Sequence, residues 1–394
     1  MARRLVVTLV LFAACAPASG TMSARDYLYL WTGAPDSTKA DFLAVLDVTE
    51  DPRRYGRLVT TVPVPGLGNG PHHSEHAMPA DHRLFVNGFG SGKTFIFDLS
   101  DPAAPRLDGE LGDVGIMMHP HSYLRLPGGN VLATFQMQHG ESGSRPGGLA
   151  EINPQGEVIR TSSANLPGVD QGIRPYSAAI VAGLDRVVVT TTDMDKDFPA
   201  SRTVQVWRLS DLRLLHSIAL PDGPAGNEGL LTAEPRLLSD GRRVLVSTFN
   251  CGVYLLDGLD TASPTARMVA ALPRKTGMNC AIPVVTGRWY LVTVPALNAV
   301  MSFDISDPSA PREAGRLTLG ANDVPHWIAL SPDARRLVVT GYAALTNRVM
   351  IATFDSATGA LALDARFRPE GAAEPGWRMD GVPHGAVFSL TIDK

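Results

Sequence analysis

The sequence predicts an all-β chain folded as a seven-bladed β-propeller whose two ends share one blade, and three features predict it. A unit of roughly 45 to 60 residues recurs from Tyr27 onward, the spacing of four-stranded blades. One β-branched strand is written six times: Arg83-Leu84-Phe85-Val86, Asn130-Val131-Leu132-Ala133, Arg186-Val187-Val188-Val189, Arg243-Val244-Leu245-Val246, Trp289-Tyr290-Leu291-Val292 and Arg336-Leu337-Val338-Val339. The segment from Asp98 to Arg106, with its Asp101-Pro102 turn, returns from Asp304 to Arg312 as Asp-Ile-Ser-Asp-Pro-Ser-Ala-Pro-Arg, and more weakly from Asp47 to Arg53.

Each element of that reading has a physical reason. The 394 residues contain 44% hydrophobic and only 19% charged residues, with 38 Gly and 30 Pro, a composition suited to a turn-rich β-protein with a large core. The repeated apolar runs have strand length and β-branched content. Asp-Pro closes a tight turn because Pro fixes φ and the carboxylate accepts a backbone N–H, so this segment links the third and fourth strands of a blade. First strands begin near His73, His121, Tyr176, Glu234, Cys280, His326 and His384, which makes seven. The last unit has no strands behind it, while the region from Tyr27 to Pro63 has strands but no first strand. Both ends therefore complete one blade, which leaves no open sheet edge.

The propeller is expected over residues 27–390. Ahead of it, Arg3 and Arg4 followed by the apolar run Leu5 to Ala14 form a signal peptide, too short to span a bilayer. Cleavage after Ala18 gives a signal segment of 1–18. Phe12-Ala13-Ala14-Cys15 is instead a lipobox, ending the segment at 14 and placing a lipid anchor on Cys15. Either way the chain is exported, to the periplasm or to the outer membrane as a lipoprotein, and no other membrane span is expected. A net charge of -4 with no Lys/Arg cluster excludes nucleic acid as a partner.

Four of the ten histidines occupy one position in the repeat: His73, His121, His326 and His384, each at the start of an innermost strand. In circular order they fall on four consecutive blades and form a half-ring around the axis. Converging neutral imidazoles with vacant positions between them make a metal site open to substrate. The other three blades carry Tyr176, Glu234 and Cys280 there, so histidine is not required by the turn. These three are the candidate catalytic residues: Glu234 as acid/base or as a group orienting a ligand, Tyr176 and Cys280 facing the vacant side. Glu228 and Asn279 are lesser candidates, His72, His76, His119 and His139 are local alternates as ligands, and His82 and His216 belong to the surface. Cys251 and Cys280 sit on loops that emerge on one face, either as a disulfide or as a reactive thiol near the metal.

On the segments His72-His73-Ser74, His121-Ser122, Asp304 to Arg312 and His384, the chain resembles the selenium-binding protein family, whose members include methanethiol oxidases. That resemblance implies a propeller with copper, oxidising methanethiol with oxygen to formaldehyde, hydrogen sulfide and hydrogen peroxide. The chain departs from the family pattern by reading Glu75-His76-Ala77-Met78-Pro79 where members are rich in Cys, by lacking a Cys after the closing His, and by being shorter. A four-histidine propeller is also similar to the carotenoid-cleaving dioxygenases, which use iron.

The leading expectation is a metal-dependent oxidase of a small, sulfur-containing substrate, with His73, His121, His326 and His384 as ligands, copper as the metal and iron as its alternative. The rivals are that iron dioxygenase and a non-catalytic binding propeller. A lactone hydrolase would want carboxylate and Asn ligands on the axis, against which the histidines argue.

Overall fold

A computed structural model describes residues 25–138, 146–165, 173–194, 201–275, 280–341, 346–369 and 371–390. The signal segment, Cys15, His139 and Asn279 lie outside the described residues. The chain forms seven antiparallel sheets arranged as the blades of a propeller. We number blades 1 to 6 by their innermost strands: Pro71–Ser74, Met117–Arg125, Ala178–Val181, Thr232–Leu237, Pro283–Thr286 and Pro325–Leu330. Blade 7 takes its innermost strand, Val382–Phe388, from the C-terminal end and its other three, Tyr27–Gly33, Phe42–Asp47 and Arg57–Pro63, from the N-terminal end. Each innermost strand contacts the next, and the ring closes where Val382–Phe388 meets Pro71–Ser74.

The six copies of the β-branched run are the second strands of blades 1 to 6, and both Asp-Pro turns join third strands to fourth strands. Such strands are buried on both faces because blades stack on blades. In Tyr27–Gly33, Leu28 and Leu30 pack with Trp327, Val338 and Ile351 of blade 6, while Tyr29 and Trp31 pack with Val86, Phe95 and Phe97 of blade 1. The period of two along the strand thus feeds two cores in alternation. Blade 6 carries a short extra strand, Trp377–Arg378, beside its third strand, which the repeat did not announce. Among the described residues, no helix is long and apolar enough to cross a membrane.

The innermost strands are irregular at one place. In blade 1, Pro71 pairs with Gly88 but Ser74 with Val86, so three steps oppose two. Blade 2 gains a residue between Pro120 and Tyr123, blade 4 between Thr232 and Pro235, blade 6 between Pro325 and Trp327, and blade 7 between Pro383 and Ala386. A bulge of this kind bends the strand and re-aims side chains. His72 and His73, His121, Glu234, His326 and His384 all lie within these bulges.

Candidate metal centre

The bulges gather five imidazoles on the axis. Ring centroids lie 4.2 Å apart for His73 and His121, 4.3 Å for His72 and His384, and 4.8 Å for His326 and His384. The four histidines singled out from the repeat are therefore together, and His72 joins them. Successive residues of a regular strand point to opposite faces, so His72 and His73 would be separated without the extra residue between Pro71 and Ser74. His72 stands 4.5 Å from the ring of His73 and places Nδ1 3.1 Å from Nε2 of His384. His72, His73 and His121 offer nitrogens that all lie within 4.8 Å of one another.

All five rings are buried. Burial holds His72, His73 and His326 well below the ordinary imidazole value, and brings His121 down to about 3 and His384 to about 4. They are neutral imidazoles, the form that ligates metals. For His121 the tautomer is fixed, because Nδ1 lies 2.8 Å from the carbonyl oxygen of Tyr176, which can only accept. Its lone pair is on Nε2, buried and without a hydrogen-bond partner, as is Nε2 of His73. On the other side of the His73 ring, Nδ1 meets Ser122 Oγ at 3.1 Å. Buried polar atoms left unmatched are costly, and a cation between them would match both. The donor set is all nitrogen, which fits copper, iron or zinc better than a hard oxygen-seeking cation.

The histidines are held by residues that the repeat contains but whose role it did not reveal. The position four residues into each repeated second strand is Asn87, Thr134, Thr190, Ser247, Thr293 or Thr340. Asn87 Nδ2 donates to the carbonyls of Pro120 and His121 at 2.9 and 3.2 Å, and its Oδ1 accepts the His73 N–H at 2.6 Å. Thr134 Oγ1 donates to Tyr176 O, Thr293 Oγ1 to His326 O, and Thr340 Oγ1 to His384 O. Thr190 Oγ1 does the same to Ala233 O, so five of the six pin the innermost strand of the next blade. Ser247 alone turns back to Glu234 of its own blade. A polar residue recurring inside an apolar strand was the available signal.

Tyr176, the first of the three candidate catalytic residues, lies beside the cluster with its ring 3.9 Å from His121. It belongs to a buried apolar group with Ala233, Phe249 and Ala281, drawn from blades 3 to 5. Glu234 is buried but touches none of the five. It accepts from Ser177 Oγ at 2.6 Å and Arg236 Nη1 at 2.7 Å, while Arg236 Nη2 donates to His76 at 3.0 Å. His76 stacks on Trp327 at 4.2 Å and stands between Glu234 and His73, further along the innermost strands. Cys280 is bonded to Cys251 and brings no thiol to the channel. Glu228 accepts the backbone N–H groups of Gly223, Ala225 and Asn227 in its own loop. His119 contacts the Phe89 carbonyl at 3.2 Å beside the cluster. His82 and His216, expected on the surface, are half-buried and away from it, in a turn and in an outermost strand.

No family model matches the chain. Methanethiol oxidase of a Hyphomicrobium species is 25% identical over 339 residues, covering 80% of this chain and 75% of that protein. The chain is a distant relative of methanethiol oxidase. In fold, the structure of a hypothetical selenium-binding protein from Sulfolobus tokodaii is similar to this chain with a TM-score of 0.74 at 17% identity, over 93% of this chain and 94% of that one. The periplasmic gluconolactonase of Pseudomonas aeruginosa superposes with a TM-score of 0.66 at 15% identity, over 94% and 100% of the two chains. Both likenesses are of architecture.

Proposed function

We propose that the protein is a metal-dependent oxidase of a small, sulfur-containing molecule, with oxygen as its second substrate. The observation that carries this reading is the pair of buried, unmatched Nε2 atoms of His73 and His121, aimed into a cluster of five neutral imidazoles. Distant homology to methanethiol oxidase supports the same chemistry. His73, His121, His326, His384 and His72 would hold the ion, copper in the first instance and iron in the second. A redox metal there supplies a place where electrons pass from substrate to oxygen.

The chain's own groups set the conditions. Tyr176 O and Ser122 Oγ orient the imidazoles, and the apolar side made by Tyr176, Ala233, Phe249 and Ala281 excludes water and suits an alkyl group. Tyr176 adds a hydroxyl close to the cluster; Glu234 acts at one remove, through Arg236 and His76. The Cys251–Cys280 disulfide ties blade 4 to blade 5 and supports an exported location, since such bonds persist in oxidising compartments. A signal segment of 1–18, or a lipid on Cys15, is the route we propose for that export.

Elemental analysis of the purified chain, paired with oxygen uptake on methanethiol, tests the reading. Copper with oxygen consumption and peroxide release is expected, both lost in His121→Ala. Iron in place of copper selects the dioxygenase chemistry, and a metal-free, inactive protein selects a binding propeller.

A further inference from the structure

At the far ends of their innermost strands, blades 1 to 4 enclose a cavity of about 470 Å³. Its wall is mostly carbon, from Met78, Pro79, Leu124, Ala179, Ile180 and Leu237. The charged groups in that wall are already matched. Arg125 donates to the two carboxylate oxygens of Glu75 at 2.8 and 3.3 Å and to Asp81 at 2.9 Å, and Arg236 donates to Glu234 at 2.7 Å. A concave space of this size, apolar with a few placed polar groups, is the usual form of a small-molecule site. Because these charges are paired within the chain, an anion entering the cavity would lose its water and meet no bare cation in return, so the guest that fits is neutral.

His76 lines this cavity and also reaches the cluster. It follows the innermost strand of blade 1, yet Arg236 Nη2 of blade 4 donates to its Nε2 at 3.0 Å, and its ring lies flat on Trp327 of blade 6 at 4.2 Å. A side chain of blade 1 that touches blades 4 and 6 crosses the channel. His76 keeps 26% of its side chain exposed, whereas His73, 6.4 Å away between ring centroids, is fully buried. A guanidinium only donates, so Nε2 of His76 accepts and its N–H is on Nδ1, a buried atom without a hydrogen-bond partner. Such an N–H suits a guest with a single acceptor atom, which sulfur can supply. We propose that the cavity is the substrate's entrance and that His76 is the partition that a small, neutral sulfur compound passes to reach His73 and His121. This inference rests on the reading of the cluster as the reaction centre and adds the route to it and the residue that limits the size of molecule admitted.

The test needs neither metal nor turnover. The metal-stripped full chain is treated with diethyl pyrocarbonate, which acylates neutral imidazoles, and the rate at each histidine is read by mass spectrometry. In wild type His76 should react well before His121. His76→Ala should raise the rate at His121 several-fold, and Ile180→Trp, which fills the cavity, should lower it several-fold. His216, on an outermost strand, should keep its rate in both variants and so report an intact fold. Dimethyl sulfide, which is neutral, should slow the reaction at His76 and His121, whereas the (methylthio)acetate anion should not. A His121 rate equal in all three chains overturns the entrance, and equal protection by the anion overturns the neutral guest. Either overturning result leaves the oxidase reading standing, because metal content and oxygen uptake test that reading separately.

Discussion

Asn87 takes the backbone N–H of His73 on Oδ1 and gives its amide hydrogens to the carbonyls of Pro120 and His121, so one side chain fixes ligands on two blades. Replacing it with Ala strands those groups in the interior at a cost of about 2–4 kcal/mol, and loosens both imidazoles. Asn87→Ala should lower metal affinity by about 10–100-fold, the effect usual for groups that orient a ligand, while keeping the fold. Competitive titration against a chelator, beside urea unfolding, checks both parts; unchanged affinity would show that packing alone sets the rings. At this scale the sequence was legible where position in the repeat decided the matter. His73, His121, His326 and His384 are equivalent residues, and the structure brings them together. His72 could not be separated from His73 by counting, because that depends on a bulge, and a bulge is a property of pairing. Glu234 occupies the expected place on the axis, yet Arg236, two residues along, claims its carboxylate.

Gly385 follows His384 in the innermost strand of blade 7, where that strand meets blade 1. A Cβ there would come 2.8 Å from the backbone nitrogen of Ser74 and 2.9 Å from its Oγ, distances at which one strand must move. Overpacking of this kind costs about 1–3 kcal/mol and is relieved most easily by separating the two strands. That movement carries His384 away from His72, across the 3.1 Å contact between them. Gly385→Ala is therefore expected to leave circular dichroism unchanged and to weaken metal binding, read by the same titration. Binding equal to wild type would mean that the strands adjust without moving the ring. The elements themselves were legible because a propeller repeats its grammar: six second strands and two Asp-Pro turns stand where the repeat puts them. Several innermost strands are short, four residues in Pro71–Ser74 and in Ala178–Val181, and others are interrupted by bulges, so they gave a weaker pattern. The added strand Trp377–Arg378 has no counterpart in the repeat and so no signal.

The ring is closed by a blade whose innermost strand and remaining strands come from opposite ends of the chain, so its integrity depends on Tyr27–Gly33 pairing with Val382–Phe388. That pairing was foreseeable from a last unit lacking strands and a first unit lacking its opening. The same blade carries His384, flanked by His326 on blade 6 and His72 and His73 on blade 1. An ion held among them ties the shared blade to both neighbours at the place where the ring was joined. Because the unfolded chain scatters these residues, binding to the folded state adds to stability, about 2.7 kcal/mol at a free metal concentration one hundred times the dissociation constant. For a chain of this length that corresponds to a rise in Tm of roughly 3–4 °C. Differential scanning calorimetry of the chelator-treated chain, with and without added copper(II), should show this rise, and His121→Ala and His384→Ala should each show less of it. The two variants test different stretches of the ring: His121 joins blade 2 to blade 1, whereas His384 lies on the closure. A rise preserved in both variants would place the bound metal outside the cluster, and the closure would then depend on strand pairing and blade packing alone.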